Sequence, residues 1–127
     1  MLRVLDANAI LRYLLDDVAD QAVEVRGVVE SGQAYTYPEV LAEVVHVLHG
    51  VYEVPRPQIA RQLLVFLDEI SVYDREMLEM CLRLYGESSL DFVDCVLVAR
   101  NSALKENVMT FDKKLGKRLI TWGTGTT

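Results

Sequence analysis

The chain alternates short apolar runs with longer segments in which apolar residues recur at helical spacing. The short runs predict strands over residues 2–6, 33–37, 70–74 and 107–112, and a final edge strand over 119–121. The longer segments predict helices over residues 9–17, 19–32, 38–50, 56–69, 75–86 and 88–106. Gly32 and Gly50 are expected to end two of these helices, and Pro38 and Pro57 to lie near the start of two others.

This order of elements predicts an α/β fold. We expect a three-layer α/β/α sandwich with a mostly parallel central sheet of four to five strands, because strands that alternate with helices pair in parallel. One domain should cover residues 1–122, and residues 123–127 should form a frayed tail. In such folds the binding crevice lies beyond the carboxyl ends of the strands.

Composition is that of an ordinary globular protein, with 51% hydrophobic and 25% charged residues. No apolar run approaches the roughly 20 residues that span a bilayer. The first 15 residues contain Arg3, Asp6 and Arg12 and do not resemble a signal peptide. We therefore expect a cytoplasmic protein without membrane association. Cys81 and Cys95 lie among apolar neighbours without metal-ligand spacing, and we expect both in the core.

The formal net charge of −6 bears on possible partners. A protein that binds nucleic acid only through its phosphates is usually basic, so this charge argues against tight, sequence-independent DNA binding. It does not exclude an enzyme that meets a polyanion through metal ions.

Acidic residues follow two predicted strands. Asp6 ends the first strand and Asp112 ends the strand at 107–112, so both should point toward the crevice. The alternative is that each residue only caps the next helix, where aspartate is favoured. Glu43 belongs to a narrow polar stripe on the helix at 38–50, which suits a helix buried on most of its circumference; a purely solvated stripe is the alternative.

Asp91 and Asp94 are three residues apart and therefore neighbours on one helix face. The helix dipole alone explains an aspartate such as Asp91 in the first turn. Asp94 has apolar neighbours, so its carboxylate should be solvated in a crevice or neutralised by a cation.

Convergence of these acids would require a cation. Two like charges about 4 Å apart repel by about 4 kcal/mol at an effective dielectric constant near 20. Oxygen ligands select hard ions, so Mg²⁺ or Mn²⁺ is the expected metal. Zinc is not expected, because His46 and His49 have no third partner at ligand spacing.

Four segments, "LDANAILRYLL", "LAEVVHVL", "LDFVDCVLVAR" and "VMTFDKKL", in this order and spacing, resemble the acidic blocks of the PIN-domain family. The resemblance covers almost the whole chain and is strongest to the VapC-type toxin ribonucleases of that family. It implies a metal-dependent ribonuclease, with 5′-phosphate and 3′-hydroxyl products. It also implies a small antitoxin protein as a partner; a ribonuclease without an antitoxin is the alternative. We also expect a homodimer, because the helices before the third strand carry aliphatic residues that could form a seam or belong to the core: Leu63, Leu64, Phe66 and Leu67.

By position, the resemblance implies catalytic and metal-binding roles for Asp6, Glu43, Asp94 and Asp112. It gives auxiliary roles to Asp91, Asn8 and Thr110, the last two holding the acids or the attacking water. Ala7 and Cys95 replace the usual threonine and alanine, but neither change removes a carboxylate. Candidate phosphate-binding residues near the strand-end acids are Arg12, Lys113, Lys114, Lys117 and Arg118. A solvated charged face is the alternative for each of them.

Two other classes compete with this interpretation. Aspartyl-phosphate phosphatases need a second aspartate two residues after the first, where this chain has Asn8. Receiver domains need an acidic pair before the first strand ends, and this chain has none there. Trapping by beryllium fluoride would support that class. The other rival is a non-catalytic PIN-fold interaction module, which would tolerate loss of Asp6 or Asp94.

Overall fold

A computed structural model describes residues 1–121, with side chains to residue 119. Contacts divide the chain into a first unit, Met1–Tyr73, and a second unit, Asp74–Thr127. The expected frayed tail at 123–127 lies outside the described residues. The extent of a single domain over 1–122 stays a prediction.

The first unit contains a parallel sheet and four helices. Its elements are β1 (Arg3–Val4), α1 (Ala7–Leu15), α2 (Ala19–Glu30), β2 (Ala34–Thr36), α3 (Pro38–Gly50), α4 (Arg56–Leu67) and β3 (Ser71–Val72). The strand order is β1-β2-β3, with Val4 beside Tyr35 and Thr36 beside Val72. Parallel neighbours need long crossovers, which the two helix pairs provide.

Helix packing in the first unit buries the apolar stripes that the sequence predicted. Helix α1 packs against α2 and α3, and α3 packs against α4. Ile10, Leu41 and Leu48 are inaccessible or nearly so. Leu63, Phe66 and Leu67 are also buried, which assigns them to the core rather than to a dimer seam, and Leu64 is half-buried.

The second unit is helical in its described residues. It contains α5 (Arg75–Glu87), α6 (Phe92–Leu104) and α7 (Lys113–Thr121), with α6 packed against both others. Leu78, Leu82 and Val98 are fully buried. Cys81 and Cys95 are free and buried, as expected.

The α/β class and the parallel sheet are confirmed, but the described residues contain three strands rather than four or five. Residues 107–112 form no regular secondary structure. The edge strand expected over 119–121 is wrong, because these residues continue α7. A three-residue apolar run does not distinguish a strand from the last turn of a helix. The three-layer arrangement stays a prediction.

Candidate active site

Asp6 lies where β1 passes into α1, at the carboxyl edge of the sheet in the first unit. Its backbone is extended, and its Oδ1 accepts a hydrogen bond from the Ala9 amide at 2.8 Å. The helix cap considered as the alternative is therefore present. A carboxylate has two oxygens, so capping through Oδ1 is compatible with cation binding through Oδ2.

Glu43 projects from the exposed face of α3. The residues of its polar stripe, Glu39, Glu43, His46 and Gly50, are all exposed, whereas Leu41, Val44, Val45 and Leu48 are buried. Helix α3 is thus buried on one side and solvated along this stripe. The carboxylate of Glu43 is accessible to a cation or to substrate.

Asp112 begins α7 instead of ending a strand. Its Oδ1 accepts a hydrogen bond from the Leu115 amide at 2.9 Å, and its own amide donates to the Thr110 hydroxyl at 3.0 Å. The strand expected to end at Asp112 is absent, and the helix cap considered as the alternative is present. Thr110 orders the backbone that carries this carboxylate, and its auxiliary role stays a prediction.

Asp91 and Asp94 stand at the start of α6. Asp91 occupies the N-cap position, but its side chain makes no capping hydrogen bond, and Asp94 lies in the first turn. The positive end of the helix dipole favours negative charge at both positions. Because α6 packs against α7, the two helices bring Asp91, Asp94 and Asp112 into one electrostatic neighbourhood.

The pKa of Asp94 is raised, first by burial and then by the charges of Asp91 and Asp112. The charge of Lys114 lowers the pKa of Asp94. The ammonium group of Lys114 donates a hydrogen bond to the Ser89 carbonyl at 3.1 Å. The charged form of a half-buried carboxyl between two other acids is disfavoured. A cation would relieve this repulsion, and Lys114 supplies part of that relief.

The other predicted polar residues differ in how far their side chains are exposed to solvent. Asn8, Lys113 and Lys117 are exposed, and Arg118 is half-buried. Arg12 is largely committed within the first unit, since its side chain is only 16% exposed and its guanidinium pairs with Asp17 at 3.2 Å. This weakens the expectation that Arg12 binds phosphate.

The donor groups of the proposed metal site are all carboxylates. Carboxylate oxygens fit Mg²⁺ or Mn²⁺ in chemistry. Within the described part of each unit, however, no group of three or more histidine, cysteine, aspartate or glutamate side chains is arranged to hold an ion. The convergence of Asp6, Glu43, Asp94 and Asp112 involves residues of both units and stays a prediction.

These features define a class of protein: an α/β protein with a parallel sheet and carboxylates concentrated at helix N-termini. The sequence of residues 3–118 matches the PIN domain family, and the chain therefore belongs to that family. The PIN domain is generally a nuclease fold. Searches of curated proteins and of solved structures find no significant match. Among the described residues, no helix is long and apolar enough to cross a membrane.

Proposed function

We propose that this protein is a Mg²⁺- or Mn²⁺-dependent ribonuclease. The observation that carries the proposal is that the half-buried Asp94 feels the negative charges of Asp91 and Asp112, in a chain of the PIN family. A carboxylate held where its charge is disfavoured lowers stability, and such an arrangement is typical of functional sites.

The proposed metal ligands are Asp94 and Asp112 from the second unit, with Asp6 and Glu43 from the first. When bound, the metal would lower the pKa of water and polarise a phosphate oxygen. The chain itself fixes the carboxylates: hydrogen bonds orient Asp6 and Asp112, and the first turn of α6 holds Asp94.

RNA would be bound despite the net charge of −6 because cations and nearby lysines reverse the local charge. Lys113 is exposed beside Asp112, and Lys114 lies close enough to Asp94 to affect its pKa. Unpaired RNA is the expected substrate, because its bases can be splayed into a cleft.

A further part of the proposal is that the protein is the toxin of a toxin–antitoxin pair and acts as a homodimer. The resemblance of its four acidic segments to VapC-type toxins supports this role. An antitoxin that placed a basic side chain among the carboxylates would mimic the cation and block the site. Co-expression with the neighbouring reading frame, followed by a cleavage assay of the complex, tests this part.

Cleavage of mixed single-stranded RNA in Mg²⁺ or Mn²⁺, with and without chelator, tests the activity. Asp94→Asn should lower the rate at least about 100-fold, since even residues that only support metal ligands contribute 10–100-fold. Asp20→Asn is a matched control, because Asp20 also lies in the first turn of a helix, α2. Cleavage that persists in chelator, or full activity of Asp94→Asn, would refute the proposal.

The absence of a three-residue metal cluster within the described part of either unit favours one alternative, a non-catalytic PIN-fold interaction module. That protein would show no metal-stimulated cleavage, and Asp94→Asn would leave its partner binding unchanged. The same assay, combined with a measurement of partner binding, separates the two functions.

A further inference from the structure

Two residues near the end of α6 hold the chain that leaves this helix. The Arg100 guanidinium donates two hydrogen bonds to the Glu106 carboxylate, at 2.8 Å and 2.6 Å. The Asn101 side-chain amide donates to the Glu106 backbone carbonyl at 2.8 Å. A bidentate, charge-assisted pair fixes orientation as well as distance. Side chain and backbone of Glu106 are thus both attached to α6, and we call Arg100, Asn101 and Glu106 the Glu106 clamp.

The clamp acts at an unfavourable helix end. Lys105, the C-cap of α6, has φ 60° and ψ 30°, in the left-handed region. Glycine usually occupies this conformation, because any other side chain crowds the backbone there. The amides of Lys105 and Glu106 both donate to the Arg100 carbonyl. The contacts of Glu106 therefore offset the cost of the Lys105 conformation and keep the chain turned back onto α6.

The segment that leaves the clamp leads to Asp112, a proposed metal ligand. Residues 107–112 form no regular secondary structure. Six residues separate Glu106 from Asp112 and can span up to about 20 Å. Six residues also separate Asp94 from Arg100, but along a helix they rise only about 9 Å. The segment is longer than a return to the start of α6 requires, so its length alone does not fix the place of Asp112.

The far end of this segment is attached to α6 through α7. Helix α7 packs against α6, and Leu115 in its first turns is buried. Asp112 lies close enough to Asp94 for its charge to affect the pKa of that carboxyl. The clamp at one end and α7 at the other are both within the second unit. The path from Glu106 to Asp112 thus has an anchor on α6 at each end.

We propose that Glu106 is a positioning residue for the acidic site, held by Arg100 and Asn101 so that the returning chain presents Asp112 beside Asp94. The consequence for catalysis rests on the proposed ribonuclease function. Glu106 acts through Asp112 and not as a metal ligand, because both of its carboxylate oxygens accept hydrogen bonds from Arg100. Loss of the clamp should weaken metal binding and slow cleavage without changing how RNA is bound.

Amide hydrogen exchange in the metal-free protein, followed by NMR, tests the positioning without any activity. The amides of Asp112 and Leu115 report on it, since they donate to Thr110 Oγ1 and Asp112 Oδ1. Glu106→Ala should speed both exchange rates about tenfold, as expected for the loss of one charge-assisted hydrogen bond. Adding Lys105→Gly should restore part of the protection, because glycine adopts the left-handed conformation without strain.

Glu79→Ala is the matched control. It removes an ion pair with Arg75 of similar length, 3.0 Å, within α5 of the same unit. It should leave the Asp112 and Leu115 amides within about twofold of their wild-type exchange rates, because a local opening in α5 does not reach them.

Mn²⁺ titration calorimetry and RNA cleavage test the consequence, at a temperature where circular dichroism shows every variant folded. Glu106→Ala should weaken Mn²⁺ binding and lower kcat about tenfold, the range found for residues that orient metal ligands. The KM for RNA should stay within about twofold, since a positioning residue does not contact the substrate. Glu79→Ala should match the wild type in all three quantities.

Wild-type exchange of both reporter amides in Glu106→Ala would overturn the inference. Equal Mn²⁺ affinity and kcat in Glu106→Ala and Glu79→Ala would also overturn it. If the wild type neither binds Mn²⁺ nor cleaves RNA, the ribonuclease proposal fails alone. The exchange rates then decide by themselves whether the clamp positions Asp112.

Discussion

Two of the proposed catalytic aspartates also have a structural task. Asp6 and Asp112 each accept a backbone hydrogen bond at a helix start through Oδ1. A substitution that removes the carboxylate can therefore abolish activity by unfolding a helix turn rather than by removing a metal ligand. Serine separates the two effects, because it caps helices about as well as aspartate but has no charge.

We predict that Asp112→Ser will keep the wild-type stability to within about 0.5 kcal/mol, whereas Asp112→Ala will lose about 1 kcal/mol. Both substitutions should lower RNA cleavage at least about 100-fold. Urea denaturation and the cleavage assay measure the two effects. Wild-type activity in the serine variant would remove Asp112 from the proposed metal site and leave it a cap.

Asp94 should lower the stability of the metal-free protein. Its pKa is raised by burial and by Asp91 and Asp112, so the folded state holds the proton more tightly than the unfolded state. The penalty is absent below the ordinary pKa of 3.8, grows as pH rises through the folded pKa, and is complete at neutral pH.

Asp94→Asn should therefore raise the urea midpoint at pH 7 in chelator, and the gain should vanish near pH 3. Glu106→Gln is a control that should lower the urea midpoint at pH 7. The hydrogen bond from Arg100 lowers the pKa of Glu106, so that pair stabilises the fold at neutral pH and loses its effect in acid. A lower midpoint for Asp94→Asn at pH 7 would contradict the electrostatic account of this site.

At the level of residues, the sequence singled out the acids, and their joint role in a site stays a prediction. It offered the helix caps that Asp6 and Asp112 form, but only as an alternative to a role at the strand ends. Asp94 stood out because a carboxylate among apolar neighbours requires compensation, and its raised pKa agrees with that reasoning.

Among the elements, those with strong local signals were predicted best. Helix α3 runs from Pro38 to Gly50 as expected, because proline favours the first turn and the apolar spacing is regular. Residues 107–112 lack a strand although Val108, Thr110 and Phe111 are β-formers. Met109 and Phe111 are 85% and 91% exposed there. A strand forms only when a partner supplies the other half of its hydrogen bonds, and that partner lies outside the segment.

The packing of α5 against α6 places both cysteines in the core of the second unit. Cys81 and Cys95 are fully buried. The pKa of the Cys81 thiol is raised, mainly by burial and to a smaller extent by the charge of Cys95. Because the thiolate is the reactive form, neither thiol should react with Ellman's reagent in the folded protein. Both should react in urea, with a rate that follows unfolding. Fast reaction of one thiol in native buffer would show that α5 and α6 open locally.

For the whole molecule, the number of phosphate contacts, rather than the net charge of −6, determines how steeply RNA binding depends on salt. Each phosphate contact to single-stranded nucleic acid contributes a slope of about −0.7 to the logarithm of affinity against the logarithm of salt concentration. An acidic protein with few such contacts should therefore have a shallow slope. If Lys113 and Lys114 are the main contacts, the slope should be about −1.4.

Lys113→Gln tests the number of phosphate contacts. Lys113 is exposed beside Asp112, and its ammonium group is not among the charges that affect the pKa of Asp94. In the Asp94→Asn background at fixed Mg²⁺, the substitution should make the slope less negative by about 0.7. Lys105→Gln, at the other end of α6, should leave it unchanged. A steep salt slope that persists in the Lys113→Gln variant would mean that the RNA binds another basic surface. The RNA would then not pass the carboxylates at the start of α6 and α7.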